Sequence, residues 1–140
     1  MDKLKILWYN WRCIKNPLAG GAEVYTHEIA KRWVKVGHEV TIFTSRFPGC
    51  ANQEVIDNVK IVRDGGKYTV YRKAKEYYRK FTSKDDYDLI IDEINTKPFF
   101  TVKFVNDKKK IVVLIHQLAR EYWFYETFFP LNYIGYYFLE

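Results

Sequence analysis

Hydrophobic and polar positions along the chain change period several times, and each change marks an element. Leu4 to Tyr9 begins as apolar–polar alternation and becomes an apolar run, the pattern of a first strand. A polar, proline-containing loop follows from Asn10 to Ala19. From Gly20-Gly21 the period turns helical: Ala22, Tyr25, Ile29, Ala30, Trp33 and Val36 share one face, and Gly37 supplies the stop expected just past a helix end. Val40 to Thr44 reads as a second strand, Phe47-Pro48-Gly49 breaks the chain, and Val59 to Val62 reads as a third. Val70, Ala74, Tyr77, Tyr78 and Phe81 predict a helix over about Thr69 to Phe81. Asp88 to Asp92 is a fourth strand, and Pro98 opens a short helix carrying Phe99, Val102 and Val105. Ile111 to Ile115 is a fifth strand, apolar enough to be buried on both faces. Two aromatic, helical segments split by Pro130 complete the chain, Arg120 to Thr127 and Leu131 to Leu139.

Strands alternating with helices, and strands that are uniformly apolar, predict an α/β fold: a Rossmann-like parallel sheet of about five strands with helices on both faces. Right-handed crossovers give strand order 3-2-1-4-5, with ligands at the carboxyl ends of the strands beside the switch between the first and fourth. That rule selects Asn10 to Glu23, Ser45 to Cys50, Asp92 to Pro98 and His116 to Arg120 as the segments to read for chemistry. At 140 residues the chain is expected to be a single domain, 1–140.

Composition adds three constraints. The contents of 48% hydrophobic and 29% charged residues are those of an ordinary globular protein, and no stretch reaches the roughly 18 apolar residues of a membrane span. Met1 to Leu7 carries neither a charged-then-apolar leader nor a small-residue cleavage site, so a cytoplasmic location is expected, with the inner membrane face left open. The formal charge of +6 raises nucleic acid, anionic membrane and phosphorylated small molecules as partners. Most of the excess lies between Lys60 and Lys84 and at Lys108-Lys109-Lys110, the latter a solvated turn on the edge away from the ligand ends. Basic and aromatic residues are not interleaved on one strand face, which argues against nucleic acid. Two cysteines, Cys13 and Cys50, read as reduced thiols, with a pairing left open because both follow strands on one sheet edge.

The sharpest chemical feature is Gly20-Gly21-Ala22-Glu23 opening the first helix. Two glycines let a ligand approach the backbone, and the free N–H groups and dipole of a helix start favour a phosphate or sugar hydroxyl. Spacing alone leaves equal room for a glycine-rich helix entry without a ligand. The dinucleotide fingerprint and the Walker loop are both absent. His116, closing the fifth strand, reads either as a hydrogen-bonded boundary residue or as a functional imidazole. His27 and His38 read as structural, while Lys15 and Arg46 are candidate anion contacts more easily explained by solvation. Gly65-Gly66-Lys67 is a second glycine turn near the same edge and reads first as an ordinary turn.

Gly20-Gly21-Ala22-Glu23, Gly37-His38-Glu39-Val40-Thr41, Asp88-Leu89-Ile90-Ile91-Asp92-Glu93-Ile94-Asn95 and Ile115-His116-Gln117-Leu118, in this order, resemble the N-terminal domain of a GT-B fold, family-four retaining glycosyltransferase. The resemblance implies two Rossmann domains with a cleft between them. Gly20 and Gly21 would meet donor phosphate or sugar, and His116 would sit at the transfer point. Glu23, Glu93, Asn95, Gln117 and Arg120 would line the acceptor side of the cleft. It further implies a nucleotide-diphosphate sugar as donor, a glycan or lipid-linked acceptor, no metal and no other cofactor. The family's donor site belongs to a C-terminal domain that these residues do not include, so a truncated, acceptor-side half is expected, inactive until completed. The alternative is a non-catalytic Rossmann-like module binding a sugar, a phosphate or another protein. The aromatic stretch Tyr122 to Phe138 is expected to pack on the sheet or on the second domain, with peripheral membrane contact left open.

Overall fold

The computed structural model describes residues 2–81, 86–116, 124–125, 127–134 and 136–137. Six strands form one sheet: β1 (Lys5–Tyr9), β2 (Glu39–Thr44), β3 (Gln53–Ile56), β4 (Val59–Arg63), β5 (Leu89–Ile94) and β6 (Ile111–Ile115). Their order is β3-β4-β2-β1-β5-β6, and every pairing is parallel except β3 with β4. The five predicted strands therefore keep their expected sequence across the sheet, and β3 is an addition. It is an edge strand that folds back on β4 through Asp57 and Asn58, both in the left-handed region at φ 50° and 64°. That two-residue turn has the twist a hairpin requires, and Asp and Asn are among the few side chains that tolerate it.

Two helices of the described residues cover the sheet, α1 (Gly21–Lys35) and α2 (Val70–Phe81). Strand periodicity sorts the core between them. Ile6, Trp8, Val40, Ile42, Ile61 and Ile91 point to the face of Ala30 on α1. Leu7, Tyr9, Phe43, Val62 and Ile90 point to Val70, Ala74 and Tyr78 on α2. Each fully buried aliphatic chain in these layers contributes roughly 1.5–3 kcal/mol. Gly37, at φ 105°, closes α1, its N–H donating to Val34 O and that of His38 to Trp33 O.

Pro98 is followed by a single 3-10 turn, Thr101–Lys103, with Phe99 and Val105 buried beside it. The expectation that the last strand is buried on both faces does not hold. β6 is an edge strand, and Val112, Val113 and Ile115 are each 49% exposed among the described residues. Apolar runs mark a strand that needs a cover, and on this edge the described residues do not supply one. A short helix, α3 (Leu131–Ile134), lies in the second aromatic segment, and most of the first lies outside the described residues.

Candidate site at the carboxyl edge

Alternation along β5 sends Asp92 and Glu93 to opposite faces, and the two carboxylates do different things. Asp92, on the α2 face, accepts hydrogen bonds from the backbone N–H groups of Phe99 (2.9 Å) and Thr101 (3.0 Å) and from Thr101 Oγ1 (2.9 Å). It pins the loop after β5, in which Phe100 holds φ 57°. Glu93, on the α1 face, is completely buried. An unpaired carboxylate there would be costly, and it has three partners. Trp8 Nε1 and Thr26 Oγ1 each approach Oε2 at 2.6 Å, and His116 Nε2 approaches Oε1 at 2.6 Å. Burial raises the Glu93 pKa, while the hydrogen bonds from Thr26, His116 and Trp8 oppose the rise.

This carboxylate joins three elements. Trp8 belongs to β1, Thr26 to the second turn of α1, and His116 to the end of β6. Tyr25, beside Thr26, packs edge-on against the His116 imidazole at 5.2 Å between ring centres. A polar chain extends the cluster: Asn95 Nδ2 donates to Asn10 Oδ1 at 3.0 Å, and Asn10 Nδ2 donates to Thr26 Oγ1 at 3.3 Å. Loop ends after β1, β5 and β6 are thus fastened to one side of α1. The His116 side chain stays 23% exposed, so its ring closes this network from the solvent side.

At the start of α1, Gly20 is extended at φ −126°, and its N–H donates to Glu23 Oε2 at 2.6 Å. That is one half of a capping box; glycine has no side chain to supply the other. By helix geometry the N–H groups of Gly21, Ala22 and Glu23 have no acceptor one turn earlier. A Cβ on Gly21 would meet nothing within 4 Å, so the backbone here borders open space. Gly21 is one helical turn from Tyr25, which touches His116.

Three of the residues expected from the sequence to line a cleft are engaged by neighbouring groups of the domain. Glu93 lies beneath the imidazole, because its strand parity turns it inward against Trp8. Glu23 is buried as the helix cap and Asn95 is bound to Asn10. Gln117 and Arg120 lie outside the described residues. His38 Nδ1 accepts from the Leu4 N–H at 3.1 Å, and His27 Nε2 pairs with Asp57 at 2.8 Å, so both serve the fold. Cys13 and Cys50 are free thiols. Thr26 and Trp8 carried no sequence signal and Asn10 only its place in a selected segment, since hydroxyl, amide and indole side chains announce a site only once the fold brings them around a carboxylate.

Among the described residues, two cavities lie against the sheet. One, of about 390 Å³, lies between the loops after β1 and β2 and is lined by Trp11, Arg12, Leu18, Phe47 and Lys67 among others. The second, of about 480 Å³, lies between α2 and the β3–β4 hairpin. Arg46 lines both, and the glycine pair and His116 are among the described linings of neither. Lys15, the other candidate anion contact, is committed to Glu54. Arg63, one of the basic residues between Lys60 and Lys84, is buried. It donates to Glu54 Oε2 (2.7 Å), Ala51 O (2.9 Å) and Cys13 Sγ (3.4 Å).

The model of the family described as Glycosyltransferase Family 4 matches residues 19–138, from the residue before the glycine pair through β6 and beyond. The chain belongs to glycosyltransferase family 4. Sucrose-phosphate synthase from Thermosynechococcus elongatus shares the fold, with a TM-score of 0.51 and 17% identity, over 65% of this chain. The match covers 27% of that enzyme's chain, so this chain spans about a quarter of its length. No curated protein matches. The six-stranded, mostly parallel sheet is accordingly Rossmann-like and matches the fold of a GT-B N-terminal domain.

Proposed function

We propose that this family-4 domain is the acceptor-binding half of a nucleotide-sugar-dependent transferase, which passes a hexose-type sugar with retention to a glycan or lipid-linked acceptor. The observation that carries the reading is the buried Glu93 joining Trp8, Thr26 of the glycine-led helix and His116 at one end of the sheet. An ionised Glu93 accepts from all three, which places the imidazole proton on Nε2 and turns the Nδ1 lone pair away from the carboxylate. That lone pair would then be left to accept a hydrogen bond from a sugar hydroxyl. The unpartnered N–H groups of the first turn of α1, with its positive dipole end, suit the sugar or diphosphate of the donor. Held in this way, the imidazole needs no reorganisation when a sugar arrives, and preorganised donors and acceptors are the main source of stabilisation as charge develops on transfer.

A donor must be brought against the acceptor with reacting atoms close together, and half a cleft cannot do that. The second Rossmann domain is therefore expected to hold the nucleotide, and this domain alone is expected to be inactive. No helix among the described residues is long and apolar enough to cross a membrane. A lipid-linked acceptor would bring the transfer to the inner face of the membrane.

The test joins the chain to a family-4 donor-holding domain and offers nucleotide sugars with neutral-glycan and polyprenyl-phosphate acceptors. Transfer that requires the second domain, with the product anomer matching the donor by NMR, is the expected result. A chain that binds sugars or phosphates yet never supports transfer when completed would make it a binding module instead.

A further inference from the structure

His116 is fastened at one nitrogen only. Its Nε2 meets Glu93 Oε1 at 2.6 Å, and among the described residues its Nδ1 makes no hydrogen bond. In an imidazole, Nε2 lies close to the line of the Cβ–Cγ bond. Turning the ring about that bond therefore moves Nε2 little, while it sweeps Nδ1 from one side to the other. The torsion concerned is broad and weakly preferring on its own. Glu93 thus fixes where the tip of the imidazole rests and leaves its roll open, and the roll decides which way the Nδ1 lone pair points.

A second contact comes from Tyr25 on α1. The two ring centres lie 5.2 Å apart with their planes at 86°, the edge-to-face arrangement that aromatic quadrupoles favour. Glu93 occupies the tip of the imidazole and the backbone its base, so Tyr25 meets it from the side, where a roll alters the contact. Tyr25 is itself held in register with the same carboxylate, because its neighbour Thr26 bonds Glu93 Oε2 at 2.6 Å. The fold makes little other use of this ring. It is 47% exposed, belongs to neither core layer, and its hydroxyl makes no hydrogen bond among the described residues.

We propose that Tyr25 is a positioning residue for His116: its ring, and not its hydroxyl, sets the roll of the imidazole and so aims Nδ1 at the sugar. This rests on the reading of His116 as part of the transfer site and adds the group that orients it. Two fastenings then divide the work, Glu93 fixing the tautomer and the tip, and Tyr25 the direction of the free lone pair.

The test has one arm on the chain itself and one on the chain completed by a donor-holding domain, with Tyr25→Phe and Tyr25→Ala in both. Alanine is a better helix former than tyrosine and the side chain is half exposed, so unchanged melting temperatures are expected to show that both variants fold. In the first arm, carbon-13 relaxation of the His116 ring is expected to show a lower order parameter in Tyr25→Ala and a wild-type value in Tyr25→Phe. An imidazole as ordered in Tyr25→Ala as in the wild type would overturn the proposal. In the second arm, Tyr25→Ala is expected to lower kcat/KM about tenfold and Tyr25→Phe less than about twofold, with no further loss from Tyr25→Ala once His116→Ala is in place. Tyr25→Phe as poor as Tyr25→Ala would assign the effect to the hydroxyl and overturn the role of the ring. The same loss with and without His116 would make Tyr25 a sugar contact in its own right and overturn positioning. If His116→Ala transfers at the wild-type rate, the placing of His116 in the transfer site falls, while the relaxation arm still decides whether Tyr25 orients the ring.

Discussion

Glu93 sits where a charge is least welcome, and its three donors are what make the position tenable. Because burial raises its pKa above the ordinary 4.5, the folded state holds this proton more tightly than the unfolded chain does. Its contribution is fully present below about pH 4.5 and is lost as pH rises through the folded value, with a slope of up to about 1.4 kcal/mol per pH unit inside that window. Glu93→Gln removes the titration. The melting-temperature difference, wild type minus Glu93→Gln, is therefore expected to shrink as pH rises above 4.5; a difference that grows with pH would contradict the assignment. Asp92 on the opposite face holds two backbone N–H groups and a hydroxyl, each bond to a charged acceptor contributing about 1.5–3 kcal/mol. Asp92→Ala is expected to destabilise by about 3 kcal/mol or more in urea unfolding, and Asp92→Asn by clearly less, because the amide oxygen still accepts. A loss below about 1 kcal/mol for Asp92→Ala would mean that the loop after β5 does not depend on this carboxylate.

Among the elements, the parallel strands and both long helices were legible because each buries one face or two, and burial leaves a period in the sequence. The β3–β4 hairpin was not, since Gln53 to Ile56 is short, half polar and on an edge, where no second layer imposes a pattern. Its signal was Asp57-Asn58, a pair able to take positive φ between two extended segments. Asn58→Gly is expected to be neutral within about 1 kcal/mol, whereas Asn58→Val, a branched residue in the left-handed region, should cost about 1–2 kcal/mol. Thermal unfolding reads the difference, and equal melting points for the two variants would contradict the turn. The glycine pair was visible as a motif, but its geometry was not. Gly20 is extended and tied to Glu23, while Gly21 faces open space. Site residues were legible in proportion to how rare their types are: His116 and the glycines stood out, whereas Thr26, Asn10 and Trp8 became part of the site only through strand parity and the pairing of β5 with both β1 and β6.

For the whole molecule, one end of the sheet gathers the start of α1, the loop after β1 and the end of β6, with Glu93 as the common buried anchor. Opposite that edge, Lys108–Lys110 form a 3-10 turn leading into β6, with Lys108 and Lys109 exposed, Lys110 half-buried and Lys108 Nζ donating to Val105 O at 3.0 Å. Glycosyltransferase family 4 membership and the GT-B fold give the domain its context; what is proposed for this chain is that the glycine-led helix and the imidazole serve one transfer site. The most direct test is a double-mutant cycle on kcat/KM in the chain completed by a donor-holding domain, using Gly21→Val, His116→Ala and the pair. Gly21→Val has room for its side chain, so the fold is expected to keep its melting temperature. Each single variant should lower transfer by about 100-fold, and the pair should lose far less than the product of the two, as groups acting together on one transition state do. Transfer at the wild-type rate by either single variant, or losses that simply multiply, would contradict a shared site.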